Sequence, residues 1–286
     1  MTVGVATIIG YALRESVRRR VFLVVLVLTL GFLALYGVGA YFAFRGVENF
    51  VPPDENVLDP TAFTGATLFG LAMFAILFLG AVLGVFLTLG AVRGEAEGGL
   101  LQPLVVRPVG RSAFLIGRFL GAAAVCTVYV VVVFASAAAI LRVAGGWWPD
   151  EFAAPALELA AAVVLLCALS LLGSVFLSTI ANGIAIFMLF GAGLTAGLLG
   201  QIGEALSSQT LEDVGRRTSY ALPFEALYQD GLHRLTSDTF GAAAFVVRLG
   251  PFGGADAADA GVLVWAVVYL GLVAVAASAA FARRDL

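Results

Sequence analysis

Long uninterrupted apolar runs dominate the pattern of hydrophobic and polar positions along the chain. Five stretches contain no charged residue, and they are Val21–Phe44, Pro60–Val92, Phe119–Leu141, Leu159–Gly203 and Ala260–Ala282. A helix that rises about 1.5 Å per residue needs ~20 residues to cross a hydrocarbon core ~30 Å thick. The fourth stretch is too long for one span, and Asn182–Gly183 near its middle is a typical turn dipeptide. The pattern therefore predicts six transmembrane helices.

The predicted fold is an all-α integral membrane protein with one transmembrane domain over residues 1–286. The spans are expected at about 21–44, 64–92, 116–141, 158–180, 183–203 and 260–282. A transmembrane β-barrel would instead show alternating segments of ~10 residues. Composition agrees with a membrane protein, because 61% of the residues are hydrophobic and only 12% are charged. Soluble domains contain ~45–50% apolar and ~25% charged residues.

The charges are distributed unequally between the two sides of the predicted membrane domain. With the N-terminus inside, the inner segments carry ten arginines and four acidic residues, and the outer segments carry six arginines and fifteen acidic residues. The net charges are thus 10 − 4 = +6 inside and 6 − 15 = −9 outside. Basic residues near span ends favour the cytoplasmic side. We therefore expect both termini to be cytoplasmic, in a multi-pass protein of a prokaryotic plasma membrane.

The first twenty residues have a helical period of their own. Apolar residues recur at helical spacing, while the basic residues Arg14, Arg18, Arg19 and Arg20 lie mostly on the other side or at the end of the segment. This pattern predicts an amphipathic helix over residues 1–20 that lies in the membrane surface, with its arginines near the lipid headgroups. The alternative interpretation is an ordinary basic flank before the first span.

Two further features have structural interpretations. Residues 204–259 mix charged residues, glycine and proline with short apolar patches, so we expect an extracytoplasmic segment that could contain short helices on or in the outer leaflet. Cys126 and Cys167 both fall inside predicted spans. A buried thiol in such a position usually acts as a small apolar side chain.

The cytoplasmic connector between the second and third spans is longer than a turn requires. Helix connections in bundles take ~2–8 residues, whereas the charged boundaries of this one lie at Arg93 and Arg118. It contains two acidic residues, then an apolar centre, then an Arg-Pro dipeptide. Apolar residues in a cytoplasmic loop must be covered, either by the membrane helices or by a groove on a partner protein. The residues alone leave both possibilities open.

The connector contains the pattern Glu95-x-Glu97-x-Gly-x-Leu, then Leu104, then Arg107-Pro108-x-x-Arg111, followed by Gly-Arg-Phe before a span. This pattern resembles the first cytoplasmic loop of ABC-2-type transporter permeases. The basic helix before the first span and the ending Phe281-Ala-Arg-Arg-Asp-Leu are similar to that family as well. Gly99-Leu100 stands where the family often has Gly-Thr, which leaves the side-chain register within the loop open.

The resemblance implies that residues 93–115 form a coupling loop that seats in a cleft of a separate ATPase subunit. The residues expected to contact or support that interface are Glu95, Glu97, Leu100, Leu101, Leu104, Arg107, Pro108 and Arg111. It also implies a dimer of permeases with two ATPases. We expect an exporter, although the residues leave export and import both open. Lipid is the other partner, and no nucleic acid is expected.

Lysine is absent from the chain. A Walker A loop needs a lysine to reach the β- and γ-phosphates, so this polypeptide is not a conventional P-loop ATPase. We expect no cofactor on this chain and no enzymatic activity of its own, with ATP and magnesium on the partner subunit. The alternative hypothesis is a membrane scaffold or assembly factor, which would pass ATPase motion to an extracytoplasmic partner through residues 204–259 without moving a solute.

Overall fold

The computed structural model describes residues 20–48, 59–89, 111–149, 151–236 and 260–283, and all the regular structure within these ranges is helical. The helices are α1 (Arg20–Glu48), α2 (Pro60–Thr88), α3 (Arg111–Gly145), α4 (Ala153–Phe176), α5 (Thr179–Ala205), α6 (Gln209–Ala221), α7 (Pro223–Thr236) and α8 (Ala260–Ala282). Helices α1 to α5 and α8 are long and apolar enough to cross a membrane. The prediction of an all-α protein with six spans is therefore confirmed. The proposed interfacial helix falls on residues outside those ranges, except for Arg20 at the start of α1.

The turn between α4 and α5 lies earlier than the sequence analysis placed it. Helix α4 ends at Phe176 and α5 begins at Thr179, so the chain turns at Leu177–Ser178. Ser178 has an extended backbone, and its hydroxyl accepts a hydrogen bond from the Ala181 N–H at 3.5 Å, which caps α5. Asn182, assigned to the turn from its sequence, is instead a fully buried residue of α5. The capping serine, not the Asn-Gly dipeptide, begins the helix.

Helices α2 and α4 form the centre of the bundle, with α3 against both. In the most apolar stretch of α4, 67% of the residues are buried, against 11% for α1 at the periphery. Close approach depends on glycine, because a Cβ atom at Gly84 of α2 would overlap the Cys167 Sγ of α4. The Cys126 and Cys167 sulfur atoms are 3.7 Å apart, and both thiols are free and fully buried. They fill the core, as expected for apolar packing.

Helices α6 and α7 occupy the segment for which short helices were expected. Helix α6 packs on the end of α5, where Gly215 and Gly200 bring the two backbones together. Helix α7 is buried among the span helices, and Phe224 and Tyr228 have almost no exposed surface. A Cβ atom at Gly231 of α7 would lie 3.3 Å from the Met73 side chain of α2 and 3.5 Å from the Pro155 backbone of α4. Helix α7 is therefore part of the bundle core.

An ionic cluster joins α7 to the start of α4. The Arg234 Nε atom lies 3.0 Å from the Glu158 Oε1 atom and 3.1 Å from the Asp230 Oδ2 atom, and Nη1 lies 3.5 Å from the Glu151 Oε2 atom. The hydrogen bond to Asp230 raises the pKa of the Arg234 guanidinium above its ordinary value. Because the side chain of Asp230 is only 3% exposed, this pairing offsets part of the cost of burying the carboxylate.

Candidate coupling site

Most residues of the predicted coupling loop lie outside the described ranges. These are Glu95, Glu97, Leu100, Leu101, Leu104, Arg107 and Pro108 in the loop, with Arg14, Arg18 and Arg19 at the N-terminus. Arg111 and Arg20 are the first residues of α3 and α1, and their side chains are outside the description too. The structure does describe the two attachment points of the loop, namely the end of α2 at Leu89 and the first turns of α3.

The first attachment point is held by Asn182 of α5. Its amide nitrogen donates to the backbone carbonyl of Ser170 in α4 at 2.8 Å and to that of Leu89 at 3.4 Å. The Leu89 carbonyl follows the last residue of α2, so it lies among the carbonyls for which a helix end supplies no partner. One side chain thus links the end of α2 to both helices of the α4–α5 hairpin.

Two glycines make room for this link. A Cβ atom at Gly173 of α4 would overlap the Asn182 Oδ1 atom, so only glycine lets the amide lie against α4. A Cβ atom at Gly183 would lie 3.3 Å from the Leu89 Cδ1 atom, so the Leu89 side chain rests on the bare backbone of α5. The Asn182–Gly183 dipeptide therefore forms the contact surface for Leu89 rather than a turn.

The second attachment point is an apolar cluster at the start of α3. Leu115 packs with Leu171 and Val175 of α4 and with Ala277 and Phe281 of α8, and all five are at most 3% exposed. Phe281 is the aromatic residue of the C-terminal pattern noted in the sequence. Its side chain fixes the end of α8 to the first turns of α3, which gives that part of the pattern a packing role.

The opposite end of the molecule contains a cavity with acidic residues in its lining. A cavity of about 790 Å³ opens between α5, α6 and α7, and its lining includes the acidic residues Glu204, Glu212 and Asp213. Arg216 also lines it and pairs with Asp213 at 2.5 Å. The attachment points of the loop are closed and largely apolar, whereas this end is open and acidic. These acidic residues belong to the segments for which the sequence analysis counted an excess of negative charge.

Comparison with known proteins agrees with this architecture. The family model described as "ABC-2 family transporter protein" matches residues 6–286, which is nearly the whole chain. The chain belongs to the ABC-2 transporter family. A search of curated proteins gave no significant match. Membership makes the chain a multi-pass transmembrane component and implies association with an ABC ATPase.

The two attachment points of this ABC-2 protein meet on one short stretch of α4. Ser170 receives the Asn182 amide, and the adjacent Leu171 belongs to the apolar cluster around Leu115. The end of α2, through Asn182, and the start of α3 are thus both linked to the last two turns of α4. Helix α4 is also the most buried span, so its position affects the packing of the entire bundle.

Sequence reasoning missed the residues that form the two attachment points. Asn182 was noticed but interpreted as a turn residue, and Gly173, Leu115 and Leu171 look like ordinary members of apolar runs. The available signal was an amide within a 45-residue stretch without charges, Leu159–Gly203. A polar group in hydrocarbon must find a hydrogen-bond partner, so its presence there indicated a specific contact.

Proposed function

We propose that this chain is the permease subunit of an ATP-binding-cassette exporter, and that a separate cytoplasmic ATPase docks on residues 93–115. The observation that carries the proposal is that both loop ends are linked to α4, Leu89 through Asn182 of α5 and Leu115 directly. A docked loop can move the bundle only if its ends are attached to it, and Leu89 and Leu115 are both attached. Export is the direction that we propose.

The energy source lies on the partner subunit in this proposal. The chain has no lysine for a P-loop, so the nucleotide phosphates and their magnesium ion are bound by the ATPase. The side of docking follows from charge, because the loop belongs to the side with ten arginines and four acidic residues. Both termini are assigned to that cytoplasmic side.

The proposed assembly contains two permease subunits and two ATPases. Helices α1 and α8 are the least buried spans of the single chain, with 11% and 17% of their most apolar residues buried. Large apolar side chains on them are exposed, for example Leu35 at 76% and Val267 at 72%. Lipid and a second permease are the two surfaces that such helices contact in a bilayer.

Co-expression with a candidate ABC ATPase, for example one encoded by an adjacent gene, tests the docking. We expect the two proteins to copurify, and we expect aspartate at Leu100, Leu101 and Leu104 to abolish the complex, because charges desolvated in an apolar groove are unfavourable. Leu206→Asp is the matched control, since Leu206 is 70% exposed in the turn between α5 and α6 at the opposite end. ATPase binding that survives the loop substitutions would refute the proposed docking site.

A scaffold function would give a different result in the same complex. A transporter needs the bundle to move a solute, whereas a scaffold needs only its outer surface to hold a partner. Deletion of α7 is unsuitable for that comparison, because Phe224 and Tyr228 are buried in the core. Reversing the charge of exposed residues on α6, such as Arg217→Glu, is the appropriate perturbation. Loss of a partner with intact ATP turnover would favour the scaffold.

A further inference from the structure

The buried amide of Asn182 has a specific orientation. It faces two backbone carbonyls, and only the amide nitrogen can donate to both of them, so the oxygen must lie on the other side against Gly173. The side chain has no exposed surface. A buried amide is unfavourable in an apolar bundle unless it is hydrogen-bonded. Its position here ties the amide to the ends of three helices, α2, α4 and α5.

The same contact contains a donor and an acceptor that are not in use. In the described part of the chain, the Ser170 hydroxyl and the Asn182 Oδ1 atom are both buried and have no hydrogen-bond partner. Ser170 already accepts from Asn182 through its backbone carbonyl at 2.8 Å. The contact therefore still has hydrogen-bonding capacity that the observed arrangement leaves unused.

The bond to Leu89 is the weaker of the two bonds that Asn182 donates. Its length is 3.4 Å, against 2.8 Å to Ser170, and its acceptor is the last described carbonyl before the loop. The Leu89 side chain rests on Gly183, the next residue of α5. A displacement that enters the bundle at the end of α2 would therefore act through Leu89 on the start of α5.

We propose that Asn182 is the positioning residue that transmits movement of the 93–115 loop to the α4–α5 hairpin. This inference rests on the proposed function, because the movement is supplied by the docked ATPase. Asn182 acts through Leu89 on one side and Ser170 on the other, and Gly173 and Gly183 provide the space that the link requires. Both hairpin helices receive the movement, since the amide belongs to α5 and its stronger bond ends on α4.

A reporter cysteine in the α4–α5 turn tests the proposal on the complex with the ATPase. Leu177→Cys supplies the reporter, because Leu177 lies in the turn and is 37% exposed, whereas the two native cysteines are fully buried. The measurement is the rate of labelling by a membrane-impermeant maleimide in proteoliposomes, without nucleotide and with ATP plus vanadate. We expect nucleotide to change the labelling rate.

Two substitutions break the link from opposite sides. Asn182→Leu keeps a similar shape and removes the donor, and Gly173→Ala keeps the amide but places a methyl group where its oxygen lies. In both we expect the nucleotide response at the reporter to be lost, while complex formation and ATP hydrolysis persist. Thr195→Val is the matched control on α5, since Thr195 is exposed and its hydroxyl bonds only to the carbonyl of Gly191 in its own helix.

The outcomes separate the two proposals. A normal nucleotide response in Asn182→Leu overturns the role of Asn182 and leaves the proposed function intact. Absence of any response in the unsubstituted reporter protein, in a complex that hydrolyses ATP, overturns the inference alone, whereas failure of the two proteins to copurify overturns the proposed function. If either variant fails to yield a stable complex, Gly183→Ala replaces it, because its methyl group presses on the Leu89 Cδ1 atom at 3.3 Å and leaves Asn182 in place. A full response in Gly183→Ala as well would overturn the inference.

Discussion

Replacing Phe281 by alanine removes the largest buried side chain of α8. The buried face of this helix consists of Ala266, Val273, Ala277 and Phe281, and three of these four side chains are small or medium in size. Phe281 is 2% exposed and packs against Leu115 and residues of α4. The attachment of α8 to the start of α3 therefore depends on one aromatic ring more than on the rest of the helix.

The size of the effect follows from the cavity that the ring would leave. Lipid tails are as apolar as a protein interior, so transfer from water contributes little to packing between membrane helices. The cavity term remains, and a loss on the order of 100 Å³ at ~24 cal/mol per Å³ corresponds to about 2 kcal/mol. We expect Phe281→Ala to lower the free energy of unfolding by about that amount. Phe281→Leu should recover part of it.

Unfolding in mixed micelles with increasing SDS measures this difference. Leu272→Ala is the control on the same helix, because Leu272 is 54% exposed and leaves no enclosed cavity. Exposed positions of this kind change stability by about 0.5 kcal/mol or less. The reasoning would be refuted if the two variants lost the same stability, since burial of the aromatic ring would then be irrelevant.

Three further perturbations follow from contacts elsewhere in the bundle, and the same SDS titration measures each. Arg234→Met should lower the free energy of unfolding by about 2 kcal/mol, because Asp230, whose side chain is 3% exposed, loses a hydrogen-bond donor. The cost stays below that of a fully buried pair, since Arg234 is 33% exposed. Unchanged stability would exclude an ionic attachment of α7. Gly84→Val should cost about 1–3 kcal/mol by overpacking against the thiol of α4, whereas Gly31→Val, with nothing within 4 Å, should be neutral. Tyr129→Phe should cost about 1 kcal/mol, because it removes a 2.6 Å hydrogen bond to Thr29 of α1. A neutral result would mean that the bond from the Thr29 hydroxyl to the Val25 carbonyl is sufficient without it.

The six spans could be predicted from the sequence because the bilayer imposes a length requirement on each helix. A crossing helix needs about twenty apolar residues whatever its neighbours are. The runs around Val21–Phe44 and Ala260–Ala282 therefore indicated α1 and α8 directly, and the observed spans are Val21–Val47 and Gly261–Ala282. Local composition was sufficient for that part of the fold.

Positions within the spans were harder to predict, because hydropathy does not distinguish a turn residue from a buried polar contact. Asn182 has the same sequence context in either interpretation, and only the packing of α2 and α4 around it decides between them. The real turn at Ser178 was marked only by one capping serine among several serines and threonines. A cap is recognised reliably once the helix start is known.

The sequence by itself determined that the chain is membrane-embedded, that it has six spans, and that its charge is asymmetric, since these depend on composition and run length. Only the tertiary structure decided that α7 lies in the core, that Asp230 and Glu158 share Arg234, and that both loop ends are linked to α4, one of them through Asn182. Each of these joins residues distant in the chain. Such contacts depend on which helix faces match, and hydrophobic runs of similar composition do not specify that matching.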